Sequence, residues 1–201
     1  MTSLFLCNIH LGGPHNNTDN LFKVLQRREW DTIFLVGNFL DLESLNEYGE
    51  LSPSDQKVLR WVAGYIRKGG NVVWVLGDKD LAVQAFYEQF LGTTSLTLTK
   101  EYCKNGLYVV HGRTRGSLSI WQKLMKFLGS EKRRILRVAR QKNCKRIITG
   151  CGTKTRYFSK DKMRYFNCGD WSHNSTWIEE YNSGNVNIFK FDGEQMVVWG
   201  I

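Results

Sequence analysis

The sequence predicts an α/β fold with mixed β-sheets, and three observations lead to this expectation. Apolar runs alternate with stretches of helical spacing early in the chain, whereas hairpin patterns dominate its end. The length of 201 residues fits one globular domain, so we expect residues 1–201 to form a single unit. Apolar residues make up 42% and charged residues 23%, which excludes disordered and fibrous classes.

The first half of the chain alternates predicted strands and helices. Apolar runs typical of buried strands cover residues 3–9, 31–36 and 71–76. Helical spacing covers residues 18–29 and 80–90. A third helix has clear boundaries, because Ser52 is a capping residue, Pro53 suits the first helical position and Gly69 with Gly70 ends the pattern.

The second half is richer in strands. Strand patterns cover residues 95–100, 106–111, 146–149, 153–158, 163–168, 175–181, 186–191 and 196–201. Turn sequences at 182–185 and 192–195 join the last three of these strands as hairpins. Between the strands, residues 118–141 have helical spacing with a break expected at Gly129.

The net charge of +9 is concentrated in one segment. Residues 113–146 contain 12 Lys and Arg against the single acid Glu131, and predict a basic amphipathic helical insertion. Such a segment favours an anionic partner, either a phosphate-bearing ligand or an anionic lipid surface. Nucleic acid ranks lower because no nucleic-acid motif accompanies the charge. The alternative is a helix that packs on its own domain and turns a solvated face outward.

The cysteine pattern and the hydropathy indicate a reducing compartment. The five cysteines form no C-x-x-C pair and their number is odd, so we expect no disulfide scaffold. No apolar run reaches the ~20 residues of a membrane helix. We therefore predict a cytoplasmic protein, and the basic segment extends this prediction to a peripheral membrane location.

Short polar clusters follow five of the predicted strands. These clusters are Asn8 with His10, Gly37-Asn38 with Asp41, Gly77 through Asp80, His111-Gly112-Arg113, and Gly150 through Thr153. Functional side chains of open α/β sheets gather at the carboxyl ends of strands. We therefore expect the five clusters to form one site.

The order and spacing of these clusters resemble the calcineurin-like metallophosphoesterases. That family has D-x-H, G-D-x-x-D, G-N-H-D, H-G and G-H-x-H, where this chain has NIH (8–10), GNFLD (37–41), GDKD (77–80), HG (111–112) and GCGT (150–153). The segments at 9–13, 120–129 and 165–176 are similar to the UDP-2,3-diacylglucosamine diphosphatase-like group. The resemblance implies a four-layer αββα sandwich of two mixed β-sheets flanked by helices. It also implies a hydrolase fold, with the basic segment as a lid over lipid chains.

Most metal-ligand positions of the resembling family are replaced. Asn8 and Asn38 stand for aspartates, Asp78 for an asparagine, and Lys79, Cys151 and Thr153 for histidines. Only His10, Asp41, Asp80 and His111 are unchanged. A bridging anion is needed between two divalent ions, and the Asn38 amide carries no charge. We therefore predict a pseudoenzyme that has lost two-metal phosphoesterase activity, with no cofactor favoured.

Three functions remain open for such a chain. In the first, the former active-site cleft binds a phosphate-bearing ligand without metal, through Lys79, Arg113, His10 and His111. In the second, Asp78, His111 and Cys151 hold a single Zn²⁺, giving an active phosphoesterase or pyrophosphatase, with Mn²⁺ as the other metal considered. In the third, the fold is a scaffold for a protein partner.

Overall fold

The computed structural model describes residues 2–14, 17–84, 95–112, 130–150, 152–192 and 195–199. One sheet contains β1 (Ser3–Cys7), β2 (Thr32–Val36), β3 (Asn71–Val75), β4 (Leu96–Thr99), β10 (Thr176–Glu180), β11 (Val186–Asp192) and β12 (Gln195–Trp199). The other contains β5 (Glu101–Lys104), β6 (Leu107–Val110), β7 (Arg146–Thr149), β8 (Arg156–Lys160) and β9 (Met163–Asn167). The spatial orders are β12-β11-β10-β1-β2-β3-β4 and β5-β6-β7-β9-β8.

Both sheets are mixed, as the sequence predicts. Strands β1, β2, β3 and β4 run parallel, whereas β10, β11 and β12 extend the same sheet with antiparallel pairs. In the smaller sheet, β6, β7 and β9 are parallel, and the edge strands β5 and β8 are antiparallel to their neighbours. Parallel central strands bring several strand ends to one edge of each sheet, which is where the polar clusters follow.

The helices are α1 (Thr18–Gln26), α2 (Leu42–Tyr48), α3 (Pro53–Arg67), α4 (Ser130–Gln141) and α5 (Trp171–Asn174). The predicted start of α3 is confirmed, since the Ser52 hydroxyl accepts the backbone N–H of Asp55 at 3.1 Å. Gly69 follows the helix in the left-handed conformation that favours glycine.

Three apolar layers hold the sandwich together. Side chains of α1 and α3 pack against the outer face of the seven-stranded sheet, with Leu21 and Val58 among the buried contacts. Phe5 and Phe34 stack at 4.5 Å on the inner face and meet residues of β6, β7 and β9. Ile135 of α4 packs on the outer face of the five-stranded sheet. The order of layers is thus helix, sheet, sheet, helix, which confirms the predicted four-layer αββα sandwich.

Some predicted elements differ from the structure. Helix α2 and strand β5 were not predicted from the sequence, because both are short and neither has a long apolar period. The strand predicted at 153–158 is wrong in its bounds, since β8 runs from Arg156 to Lys160. Helix α4 covers the described part of the predicted helix at 118–141, and residues 113–129 of the basic segment lie outside the described residues. Within the described ranges, no helix combines the length and apolar character needed to span a membrane.

Candidate functional site

The carboxyl ends of β1, β2, β3 and β6 bring the predicted polar residues together. Asn8 follows β1, Asn38 follows β2, Asp78 follows β3 and His111 follows β6. Backbone hydrogen bonds hold these ends in register: the N–H of Asn8 donates to the Gly37 carbonyl at 3.1 Å. We call Asn8, His10, Asn38, Asp41, Asp78, Lys79 and His111 the strand-end site.

The backbone of this site is unusual. Asn8, His10 and Asn38 have φ values of 52°, 57° and 46°, in the left-handed region that residues other than glycine seldom adopt. Gly37, at φ 67°, also has no room for a side chain, because a Cβ there would lie 2.0 Å from the Nδ1 atom of His111. The strand ends therefore turn sharply and pack against one another.

The amide side chains of Asn8 and Asn38 form a buried hydrogen-bond chain, which we call the amide relay. Asn8 Nδ2 donates to the carbonyl oxygens of Gly150 at 2.6 Å and Gly169 at 3.1 Å. Asn8 Oδ1 accepts from Asn38 Nδ2 at 3.4 Å, and Asn38 Oδ1 accepts from the Lys79 N–H at 3.0 Å. Because two carbonyl oxygens face Asn8 Nδ2, position 8 requires a donor.

A second set of side chains lies beside the amide relay, and we call His10, Asp41, Glu43 and Lys79 the ionic group. Asp41 Oδ2 lies 3.3 Å from His10 Nδ1, and Asp41 Oδ1 accepts from Lys79 Nζ at 3.3 Å. Asp41 also caps α2 by accepting the Ser44 N–H at 3.1 Å. Lys79 Nζ donates further to Glu43 Oε2.

The charges of the ionic group shift its pKa values in opposite directions. Burial by itself raises the pKa of Asp41, but the bond from Ser44 and the interactions with His10 and Lys79 outweigh it, so the pKa is lowered. The hydrogen bond to Glu43 raises the pKa of Lys79, partly opposed by burial, and Asp41 adds to the rise. Both groups are therefore held in their charged forms at neutral pH.

His111 and Asp78 form a separate pair. The buried His111 Nδ1 lies 3.2 Å from the Val36 carbonyl, which only accepts, so in the neutral ring Nδ1 carries the proton and Nε2 has the lone pair. His111 Nε2 is buried without a hydrogen-bond partner in the described structure and lies 3.7 Å from Asp78 Oδ1. The half-exposed Asp78 carboxylate and the imidazole nitrogen thus converge on one point.

Asp80 has a structural function. It is fully buried, and its carboxylate accepts from Phe39 N–H at 2.9 Å, Trp74 Nε1 at 2.8 Å and Gly77 N–H at 2.6 Å. Burial raises the pKa of Asp80, and these three bonds oppose that rise. Asp80 therefore ties the backbone after Asn38, at Phe39, to the end of β3 at Gly77.

The remaining predicted residues are not brought into the site by the described structure. Thr153 is exposed, and its carbonyl oxygen accepts from Asn174 Nδ2 at 2.9 Å. Arg113 and Cys151 lie outside the described residues. Arg113 thus stays a predicted anion ligand, and Cys151 stays a predicted zinc ligand.

The described part of the basic segment presents its charge outward. Lys132, Arg133, Arg134 and Arg137 are exposed on α4, while Ile135 faces the sheet. Lys132 Nζ lies 3.4 Å from the centre of the Phe158 ring. Burial lowers the pKa of Lys132, and the Arg156 charge adds to this shift. An anionic lipid surface or nucleic acid as the partner of this face stays a prediction.

The metal implied by the resembling family can be tested against the donor atoms present. At positions 8 and 38, both amide oxygens already accept N–H groups and Asn8 Nδ2 faces carbonyl oxygens, so a bridged pair of divalent ions does not fit there. At His111 and Asp78, by contrast, a free imidazole nitrogen and a carboxylate oxygen fit one ion. Among the residues described, no group of three or more His, Cys, Asp or Glu side chains is arranged to hold a metal ion.

Sequence reasoning missed three partners of this site. The carbonyls of Gly150 and Gly169 fix Asn8, and their approach arises only in the folded chain. Glu43, the second partner of Lys79, lies on the unpredicted helix α2. Its position two residues after Asp41 was the one signal that would have indicated it.

Solved structures with the same architecture include Vps29 from Chaetomium thermophilum, at a TM-score of 0.60 and 13% identity over 98% of this chain and 95% of that one. A novel archaeal phosphodiesterase matches with a TM-score of 0.52 and 12% identity, over 98% of this chain and 99% of that one. Wild-type Vps29 from Entamoeba histolytica, solved with zinc, matches with a TM-score of 0.53 and 16% identity over the whole of both chains. No protein-family model and no curated protein sequence matches the chain. These likenesses establish the fold as the α/β metallophosphoesterase sandwich.

Proposed function

We propose that this protein is a pseudoenzyme of the metallophosphoesterase fold, which binds a phosphate-bearing ligand or partner group at the strand-end site without two-metal catalysis. The amide relay carries this proposal. A bridging position needs an anionic oxygen, but Asn38 Oδ1 is neutral and already accepts the Lys79 N–H. Asn8 directs its donor at two carbonyls, so the relay replaces a metal site with neutral hydrogen bonds.

The ionic group supports phosphate as the chemistry recognised. Glu43 has 77% of its side chain exposed, and such surface ion pairs contribute less than about 1 kcal/mol. A phosphate dianion therefore competes with Glu43 for Lys79 at little cost. Arg113, which follows β6 in sequence, adds a second cation to this proposed ligand set.

The first test is hydrolysis. The full chain, with its metal content measured, is assayed on a generic phosphodiester with Mn²⁺, with Zn²⁺ and with chelator. We expect turnover to be equal in all three conditions. Metal-dependent turnover that disappears in the His111→Ala variant would contradict the pseudoenzyme proposal.

The second test is metal-free binding. Inorganic phosphate is titrated into chelator-treated protein, and we expect the Lys79→Ala/Arg113→Ala double variant to bind roughly tenfold more weakly. The matched control is Lys57→Ala/Lys68→Ala, which removes two exposed charges on and just after α3. Equal affinity of both double variants would show that net charge, not this site, attracts the anion.

A second candidate function rests on His111 and Asp78. His111 Nε2 is buried without a hydrogen-bond partner among the described residues, and Asp78 Oδ1 lies 3.7 Å from it. This pair favours a one-metal hydrolase in which Asp78, His111 and Cys151 would hold Zn²⁺, which would supply Lewis-acid chemistry. The zinc in one Entamoeba Vps29 structure makes this metal the one to try.

The zinc candidate has its own test. One equivalent of bound metal is expected in competition with a chelator, together with a thiolate absorption band when Co²⁺ replaces Zn²⁺. The His111→Ala and Cys151→Ser variants would lose the metal, and the Cys103→Ser control would keep it. Binding that survives both of the first two substitutions excludes this ligand set.

A further inference from the structure

Two cysteines far from the strand-end site lie in contact. Cys103 is exposed on the edge strand β5, and Cys144 is buried in the turn between α4 and β7. Their Sγ atoms are 3.0 Å apart, although 41 residues separate them in the chain. The Cys144 N–H donates to the Ala139 carbonyl at 2.8 Å, which fixes the backbone that presents its thiol.

The other described cysteines provide a contrast. Cys7 and Cys168 are both 0% exposed in the core between the sheets. Cys168 Sγ donates to the Phe5 carbonyl at 3.5 Å, and burial raises the pKa of Cys7 well above its ordinary value. Both thiols are therefore shielded from solvent in the folded protein. Among the described cysteines, only Cys103 is exposed to solvent.

We propose that Cys103 and Cys144 form a thiol–disulfide exchange site for low-molecular-weight disulfides, in which Cys103 attacks and Cys144 resolves. In the first step, the Cys103 thiolate attacks one sulfur of the small disulfide. A mixed disulfide forms on Cys103 and one small thiolate leaves. In the second step, Cys144 loses its proton and attacks Cys103 Sγ, and the second small thiolate leaves. The two cysteine protons end on the two small thiols, and the two electrons reduce the small disulfide.

The surroundings of the two thiols indicate which one attacks and which one resolves. Exposure lets Cys103 meet the small disulfide first. Burial, with the contact to Cys103, raises the pKa of Cys144 to about 11, although Lys142 and Arg146 oppose the shift. Cys144 therefore stays protonated until a mixed disulfide forms 3.0 Å away from it. Reducing compartments favour such transient pairs over permanent scaffolds.

Closing this bond would connect the edge strand β5 to the end of helix α4. The resulting loop runs from residue 103 to residue 144 and contains most of the basic segment. Restricting a loop of this length in the unfolded chain stabilises the folded state. We expect oxidation to raise the melting temperature by roughly 5–10 °C.

The test uses the full-length protein and oxidised glutathione as the probe, followed by alkylation of free thiols and peptide mass mapping. We expect a Cys103–Cys144 bond, a mass loss of two hydrogens and free thiols at Cys7 and Cys168. Reduction with dithiothreitol should reverse the melting shift. Failure to form the bond, or a bond from Cys103 to Cys151 instead, would overturn the proposal.

Two variants separate the steps. Cys144→Ser, or Cys144→Ala if the serine variant folds poorly, should retain one glutathione on Cys103 because no thiol resolves the mixed disulfide. Cys103→Ser should gain no glutathione on Cys144, since that thiol is buried. Glutathione on Cys144 in this second variant would show that the assigned order of attack is wrong.

Discussion

The amide relay and the ionic group lie side by side at the strand ends, but they differ in burial and in charge. The relay is buried, neutral and hydrogen-bonded at every amide atom that faces the protein. The ionic group is partly exposed and charged, with the two carboxylates of Asp41 and Glu43 around the single Lys79 ammonium. Asn8, Asn38 and Asp41 are buried, whereas His10, Lys79 and Glu43 are at least partly exposed. Ligand chemistry is therefore expected on the ionic side.

The largest expected effect comes from introducing a carboxylate into the relay. Asn8→Asp removes both N–H bonds and places a charged oxygen against the carbonyls of Gly150 and Gly169. We expect a loss of about 3 kcal/mol in the free energy of unfolding, measured by denaturant titration. The loss should shrink in acid, where the introduced carboxyl is protonated and can donate again.

Asn38→Asp is the matched variant within the relay. An oxygen of the introduced carboxylate would still accept the Lys79 N–H, and only the 3.4 Å hydrogen bond to Asn8 would be lost. We therefore expect a loss of about 1 kcal/mol in the free energy of unfolding. The exposed Asn182→Asp controls for added charge and should change stability by less than about 0.5 kcal/mol. A larger effect at position 38 than at position 8 would contradict the donor requirement at position 8.

A smaller, pH-dependent effect is expected in the ionic group. Because the folded pKa of Asp41 is lowered, its stabilising contribution is complete above the unfolded pKa near 4 and is lost as pH falls through the folded value. Asp41→Asn should therefore cost about 1 kcal/mol at pH 7, and this cost should shrink progressively as the pH falls below about 4. The control is Asp161→Asn, which removes an exposed pair with Arg140. A loss of stability that does not change with pH would show that Asp41 stabilises the fold only by capping α2.

The smallest stability change is expected at Glu43. Glu43→Gln should alter the free energy of unfolding by less than about 0.5 kcal/mol, because the pair with Lys79 is solvent-exposed. Phosphate affinity should nevertheless rise two- to fivefold, roughly, since Lys79 loses a competing anion. Glu47→Gln removes the same charge from an exposed position on the same helix and is the control. Equal gains in both variants would point to a general charge effect.

The sequence was sufficient for the architecture because periodicity and capping are local. Ser52 with Pro53 predicted the start of α3. The polar strand ends predicted that Asn8, Asn38 and Lys79 would lie together. The interactions that these side chains make with one another were less predictable. Which way the Asn8 amide points depends on carbonyls 142 and 161 residues away. The contact of Cys103 with Cys144 likewise exists only after β5, β6 and β7 pair.

The electrostatics of the site show the same limit. The sequence predicts Lys79 as an anion ligand, but folding gives its ammonium group two carboxylate partners. One of these, Glu43, lies on a helix that the sequence pattern did not predict. The charged residues read from the sequence therefore give the composition of a site, whereas its net electrostatic potential depends on which charges pair in the folded chain.

The left-handed backbone at Asn8, His10 and Asn38 restricts what substitution can put there. Only glycine, and to a lesser degree Asn, Asp and His, adopts such φ values at low cost. Two of these residue types, Asp and His, are also common metal ligands. A saturation library at the three positions should then retain the same few residue types even when it is selected for folding alone. The backbone alone can thus keep metal-ligand residue types at these three positions, independently of any selection for metal binding.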